Sequence, residues 1–83
     1  MKATKISYSN RFIKDFKSAP FKIRVAFKER LEVFIKDKFN PILNNHGLNG
    51  KLNKYRSLNI TGDWSAIFSE NKKEEEVIFH LMG

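Results

Sequence analysis

The sequence predicts an α+β domain in which two helices cover one face of an antiparallel sheet. In the first half, Phe12, Ile13 and Phe16, and then Phe27, Leu31, Phe34 and Ile35, recur at helical spacing. Beyond Tyr55 the apolar residues alternate with polar ones, the pattern of half-buried strands. The two prolines, Pro20 and Pro41, fall at the edges of the helical stretches and not inside them. Helices from one part of the chain and strands from another give segregated layers rather than alternating βα units.

The chain opens with Lys5-Ile6-Ser7-Tyr8, which alternates like a short half-buried strand. Ser9 or Asn10 supplies an N-cap for the first helix, because a short polar side chain satisfies a free N–H of the first turn. Ser18-Ala19-Pro20 ends that helix and begins a second, since a proline is tolerated where its missing N–H has no intrahelical partner. The second helix, the longest element, runs from Phe21 to about Lys38, with Phe27, Leu31, Phe34 and Ile35 on one face and Ile23 extending the stripe. Lys28, Glu29, Glu32 and Lys36 fall largely elsewhere, so the phenylalanine stripe is core. Asn40-Pro41 stops the helix, because the residue before a proline disfavours helical backbone.

From Asn44 to Asn53 the chain is polar, aperiodic and contains glycine, which reads as a loop. Arg56, Leu58 and Ile60 alternate with Ser57 and Asn59, placing Asn59 opposite the aliphatics. Thr61-Gly62-Asp63 makes a tight connection to a strand over Trp64–Phe68. Asn71-Lys72-Lys73 turns the chain into a last strand, Val77–Met82, with Val77, Phe79 and Leu81 on one face. These three strands form an antiparallel meander, and the N-terminal strand joins at or near an edge.

Eighty-three residues make one domain, spanning 1–83, whose small core gains from eight Phe and one Trp. The absence of cysteine excludes disulfides, a thiolate nucleophile and sulfur-ligated zinc, and agrees with a cytoplasmic protein. The apolar runs are far shorter than the roughly 20 residues that cross a bilayer, so no membrane association is expected. The net charge of +7 is uneven: residues 1–54 carry 13 Lys/Arg against 4 Asp/Glu, and residues 55–83 carry 3 against 5. A basic surface of this density attracts RNA, DNA or an acidic protein, although a lysine-rich solvated helix face produces the same count. Glu74-Glu75-Glu76 reads as the charged start of a strand and its turn.

The most specific stretch is His46-Gly47-Leu48-Asn49-Gly50, followed by Tyr55-Arg56-Ser57 and Thr61-Gly62-Asp63-Trp64. In this order and spacing, ahead of a short apolar strand, it resembles the RelE/ParE superfamily of type II toxin–antitoxin modules, nearest to its YafQ-like messenger-RNA interferases. The resemblance runs from Lys5 to Gly83. It implies a strand, two helices and a meander, and a metal-independent, ribosome-associated endoribonuclease neutralised by a cognate antitoxin, with which it would form a higher-order complex. No cofactor is implied. Carried over by position, His46 matches the loop histidine, Asp63 the aspartate and Trp64 its aromatic neighbour.

Two departures stand out. Asn59 falls where the YafQ-like branch has a second catalytic histidine, which removes a proton carrier while leaving an amide that can orient a phosphate. Family members also commonly continue past the last strand into a Thr-His-x-x-Leu-Tyr/Phe segment, whereas this sequence stops at Gly83. The expectation is therefore a truncated or shortened copy lacking that segment, and His80 lies three residues too early to replace its histidine. Two alternatives follow: a toxin that binds antitoxin or RNA without catalysis, its activity reduced or lost, or a ParE-like inhibitor of DNA gyrase.

Metal-free RNA cleavage needs a base for the ribose 2′-OH, a stabiliser of the phosphorane and an acid for the leaving oxygen. His46 is the leading proton carrier, because imidazole titrates near neutrality. Lys51, Lys54 and Arg56 are the candidate phosphate holders, Trp64 a candidate RNA contact, Asp63 a base or orienting partner, and Asn59 a phosphate-orienting amide. Each has a structural alternative: a solvated loop for His46, an ordinary hairpin position for Asp63, a salt bridge across the meander for Arg56 and core packing for Trp64. For the last two, the structural role is the default. The two histidines and Asp63 lack the local spacing of a metal site, so no metal is expected.

Overall fold

A computed structural model describes residues 5–83. Its elements are β1 (Lys5–Tyr8), α1 (Asn10–Ser18), α2 (Phe21–Lys36), β2 (His46–Gly47), β3 (Arg56–Asn59), β4 (Ser65–Asn71) and β5 (Glu76–Met82). Two single-turn 3₁₀ segments, Pro41–Leu43 and Gly50–Leu52, flank β2. The strands form one sheet in the order β1-β5-β4-β3-β2. The expected α+β class and meander are present, but the sheet has five strands and is mixed. β1 lies at an edge as expected and runs parallel to β5, with Ile6 opposite Val77 and Tyr8 opposite Phe79.

Each helix begins and ends for a local reason. Ser9 caps α1: its Oγ accepts the Phe12 N–H at 3.0 Å and donates to the His80 carbonyl at 2.7 Å, joining the helix start to β5. Pro20 stands just before α2, its carbonyl accepting from the N–H groups of Ile23 and Arg24. α2 stops at Lys36, two residues before the expected end, where Asp37 turns extended. Asn40 then caps the Pro41–Leu43 turn through its side chain.

The core lies between the helices and one sheet face. Phe12, Ile23, Phe27 and Phe34 from the helices meet Leu58, Ile60, Ala66, Phe68, Val77, Phe79 and Met82 from the sheet. The α2 stripe is narrower than its apolar pattern, for Leu31 is only partly buried and Ile35 is 59% exposed. Ile35 sits about 100° around the helix from Phe34, beyond the strip that the sheet covers. Tyr8 stacks on Phe12 and Phe79 at the sheet edge, and burial pushes its phenol up from the ordinary tyrosine value.

A β-bulge corrects the expected alternation in β5. Phe68 pairs with Phe79 but Ile67 pairs with Leu81, leaving His80 as the extra residue. Val77 and Phe79 face the core as the sequence predicts, whereas Leu81 turns outward and Met82, 4% exposed, takes the inward place. An inserted residue shifts the period of two by one, so the strand changes phase at the bulge. Among the described residues no helix is long and apolar enough to cross a membrane.

Phe79→Ala is expected to destabilise the domain by about 3 to 5 kcal/mol, and Ser9→Ala by roughly 0.5 to 2 kcal/mol through loss of the cap. Urea denaturation followed by circular dichroism measures both. A loss below 1 kcal/mol for Phe79→Ala would contradict the packing described.

Candidate functional site

Both helices cover the same side of the sheet, so its other face carries no helix. By strand alternation and the bulge, this open face bears Tyr55, Ser57, Asn59, Ser65, Ile67, Ser69, Ile78, His80 and Leu81. β2 brings His46 to it, because His46 lies directly opposite Ser57 and cross-strand partners share a face. The sequence predicts loop throughout Asn44–Asn53. The two-residue strand forms there because tertiary pairing with β3, absent from any local pattern, supplies its hydrogen bonds.

His46 is exposed, and its Nδ1 lies 2.8 Å from the Asn44 carbonyl. A carbonyl can only accept, so Nδ1 carries the proton of that bond. In the neutral ring Nε2 is then the nitrogen available to take a proton. Asn44 itself adopts a left-handed conformation, φ 45°, which turns the chain into β2. Asn59 stands two residues beyond Ser57, about 7 Å along the strand on the same face.

Of the other expected site residues, Arg56 bonds to the segment that leads into β2, whereas Asp63 and Trp64 line a cleft at the start of α2. Asp63 is an exposed turn residue whose N–H bonds Thr61 Oγ1 at 3.3 Å. It lines a cleft of about 400 Å³ with Pro20, Lys22, Ile23 and Trp64, beside the start of α2. Trp64 packs against the core. Arg56 shares strand parity with Leu58 and Ile60, and its Nε donates to Asn45 Oδ1 at 2.8 Å while the guanidinium lies 5.7 Å from the Phe39 ring centre. It thus braces the segment just before His46, and its partner is that loop and not an acid across the meander. Lys51 and Lys54 are exposed on the 3₁₀ segment and the turn that follows it. Among the described residues no group of three or more His, Cys, Asp or Glu is placed to hold a metal.

A second polar cluster forms where β5 bulges. His80 Nε2 lies 2.8 Å from Ser69 Oγ, and its ring meets Tyr55 edge-on at 5.1 Å. These residues line a groove of about 650 Å³ together with Lys54, Glu70, Asn71, Lys72 and Ile78. His80 lies outside the motif that carries the family resemblance. Its alternation with Val77 and Phe79 is nevertheless enough to put it on the open face.

The fold is that of the RelE/ParE-type toxins. Among solved structures the chain is similar to YafQ from E. coli strain BL21(DE3), with 23% identity over 96% of this chain and 91% of that one and a TM-score of 0.79. It is also similar to a chain of the RelBE2 toxin–antitoxin complex of Mycobacterium tuberculosis, with 15% identity, coverage of 100% and 92%, and a TM-score of 0.76. The YoeB/ParE toxin of Agrobacterium tumefaciens gives 11% identity, 95% coverage of both chains and a TM-score of 0.80. At these identities the likeness is one of fold. No protein-family model matches the sequence, and no curated protein matches it significantly.

Removing the Arg56 brace is expected to loosen the loop. Arg56→Ala should speed amide exchange over residues 44–48 and lower stability by about 1.5 to 3 kcal/mol, the usual worth of a hydrogen bond to a charged group. Protection unchanged in hydrogen-exchange mass spectrometry would show that Arg56 does not order this segment.

Proposed function

We propose that the protein is the toxin of a type II toxin–antitoxin pair and acts as a metal-independent endoribonuclease on messenger RNA at the ribosome. The observation that carries this reading is the uncovered polar sheet face with His46 and Asn59 upon it, in a fold shared with such toxins. In the proposed reaction the ribose 2′-oxygen attacks the adjacent phosphorus and the 5′-oxygen departs. His46 transfers a proton through Nε2, and the Asn59 amide orients the phosphate. Lys51 and Lys54 hold the RNA backbone electrostatically. Asp63, in the turn beyond Asn59, serves as base or orients a proton carrier at that end, with Trp64 beside it. Arg56 acts through the loop it braces.

The partner is an antitoxin with an acidic segment, matching the basic first half of the chain. A solved structure of similar fold is a toxin–antitoxin complex, which supports this choice. The separation of Asp63 from His46, with Asn59 at the second histidine position, favours one other reading: a toxin that holds antitoxin or RNA without cutting.

Primer extension on a messenger RNA in a purified bacterial translation system tests the proposal. The wild-type chain should give discrete codon-phased cuts that persist in EDTA concentrations too low to disturb ribosomes. His46→Ala should slow them by about 10²- to 10⁴-fold, the range of a lost proton-transfer group, and Asp63→Ala should slow them too. Salt-sensitive RNA binding with no cuts at any protein concentration would replace the enzymatic reading with the binding one.

A further inference from the structure

We propose that the groove around Tyr55, Ser69 and His80 is a subsite for one nucleotide of single-stranded RNA, with Lys54 and Lys72 holding its phosphates and His80 reading its base. The subsite rests on the RNA-directed reading above and adds to it a place where sequence preference is set.

The charges of the groove favour an anion. Its lining includes Lys54, Lys72 and Glu70, and the Glu70 carboxylate is already engaged by Lys38 at 2.9 Å. Among the described residues neither Lys54 nor Lys72 makes an ion pair, and both line the groove. The volume, about 650 Å³, lies within the roughly 300 to 1,000 Å³ typical of small-ligand sites. Tyr55 and Ile78 give the groove an aromatic and an apolar surface for a base, and stacking on an aromatic ring is how proteins commonly hold unpaired bases.

His80 gives the groove a polar reader. Ser69 holds Nε2, and Nδ1 has no hydrogen-bond partner among the described residues. A serine hydroxyl can give or take the shared proton, so Nδ1 can offer the base edge an acceptor or a donor. His46 and His80 stand on β2 and β5, three strand spacings or about 14 Å apart between backbones. A strand of RNA lying across the open face spans that separation. An acidic peptide would meet the same lysines, but it has no use for Tyr55 or for a base-reading nitrogen.

Fluorescence anisotropy with labelled ten-nucleotide homopolymer RNAs, at several salt concentrations, tests the subsite. Wild-type protein should distinguish the homopolymers. Tyr55→Ala should weaken binding roughly 5- to 150-fold, the range for losing one stacked base. Replacing Lys54 and Lys72 together by Ala should lower the salt slope by about 1.4, two phosphate contacts on a single strand. His80→Gln should alter the ranking of the homopolymers without altering that slope. Binding that ignores all of these changes, or an acidic peptide that binds equally well and shows the same Tyr55 dependence, would overturn the subsite. If the RNA binds as described and the wild-type chain cuts no messenger RNA, the subsite stands and the endoribonuclease reading falls. If messenger RNA is cut while the variants keep wild-type binding and preference, the reverse holds.

Discussion

Phe79 is the residue around which the structure closes. Its ring lies 5.5 Å from Phe12, 5.3 Å from Phe27, 6.2 Å from Phe34 and 5.5 Å from Phe68, and Tyr8 stacks on it at 5.9 Å. One side chain therefore touches both helices and two neighbouring strands. Most of these pairs are tilted or edge-on, arrangements that bring positive ring edges to negative faces. The backbone reinforces the same point: the Phe79 carbonyl accepts from Ser9 N–H, and the Ser9 side chain then starts α1. In a chain of this size, with little surface to bury, such a shared centre concentrates the available packing.

Fixing Phe79 inward determines what the opposite face can display. The extra residue of the bulge cannot enter the filled core, so His80 and Leu81 both turn outward and Met82 closes the core behind them. Asp15, on α1, accepts the Met82 N–H at 3.2 Å and secures the strand beyond the bulge. The open face consequently gains an imidazole next to Ser69 and Tyr55. Bulges commonly re-aim a side chain in this way at the rim of a site. Packing on one side of the sheet and chemistry on the other are thus linked through a single inserted residue.

The same fold is found at identities as low as 11%, which is what a core defined by apolar volume and periodicity permits. Function then rests on the polar face, where few positions are constrained by packing. His46 and Asn59 share that face, whereas Asp63 lies beside the start of α2. The electrostatic division of the chain also acquires a physical form, because most of the basic excess sits on the helices and loops, while the sheet-forming half is mildly acidic. The Lys38–Glu70 pair joins the two.

The sequence by itself determined the helices, the strand pattern of the second half and the face on which Asn59 lies, since each follows from spacing, capping or a proline within one segment. It also determined the parity of His80 through the alternation of Val77, Phe79 and Leu81. Only the tertiary structure decided the parallel pairing of β1 with β5, the strand status of His46–Gly47, the exchange of Leu81 for Met82 and the use of Arg56 to hold Asn45. The reason is common to all four. Periodicity reports how a segment presents its own side chains, but pairing, bulges and side-chain anchors depend on residues distant in the chain. Those partners come together only in the folded domain.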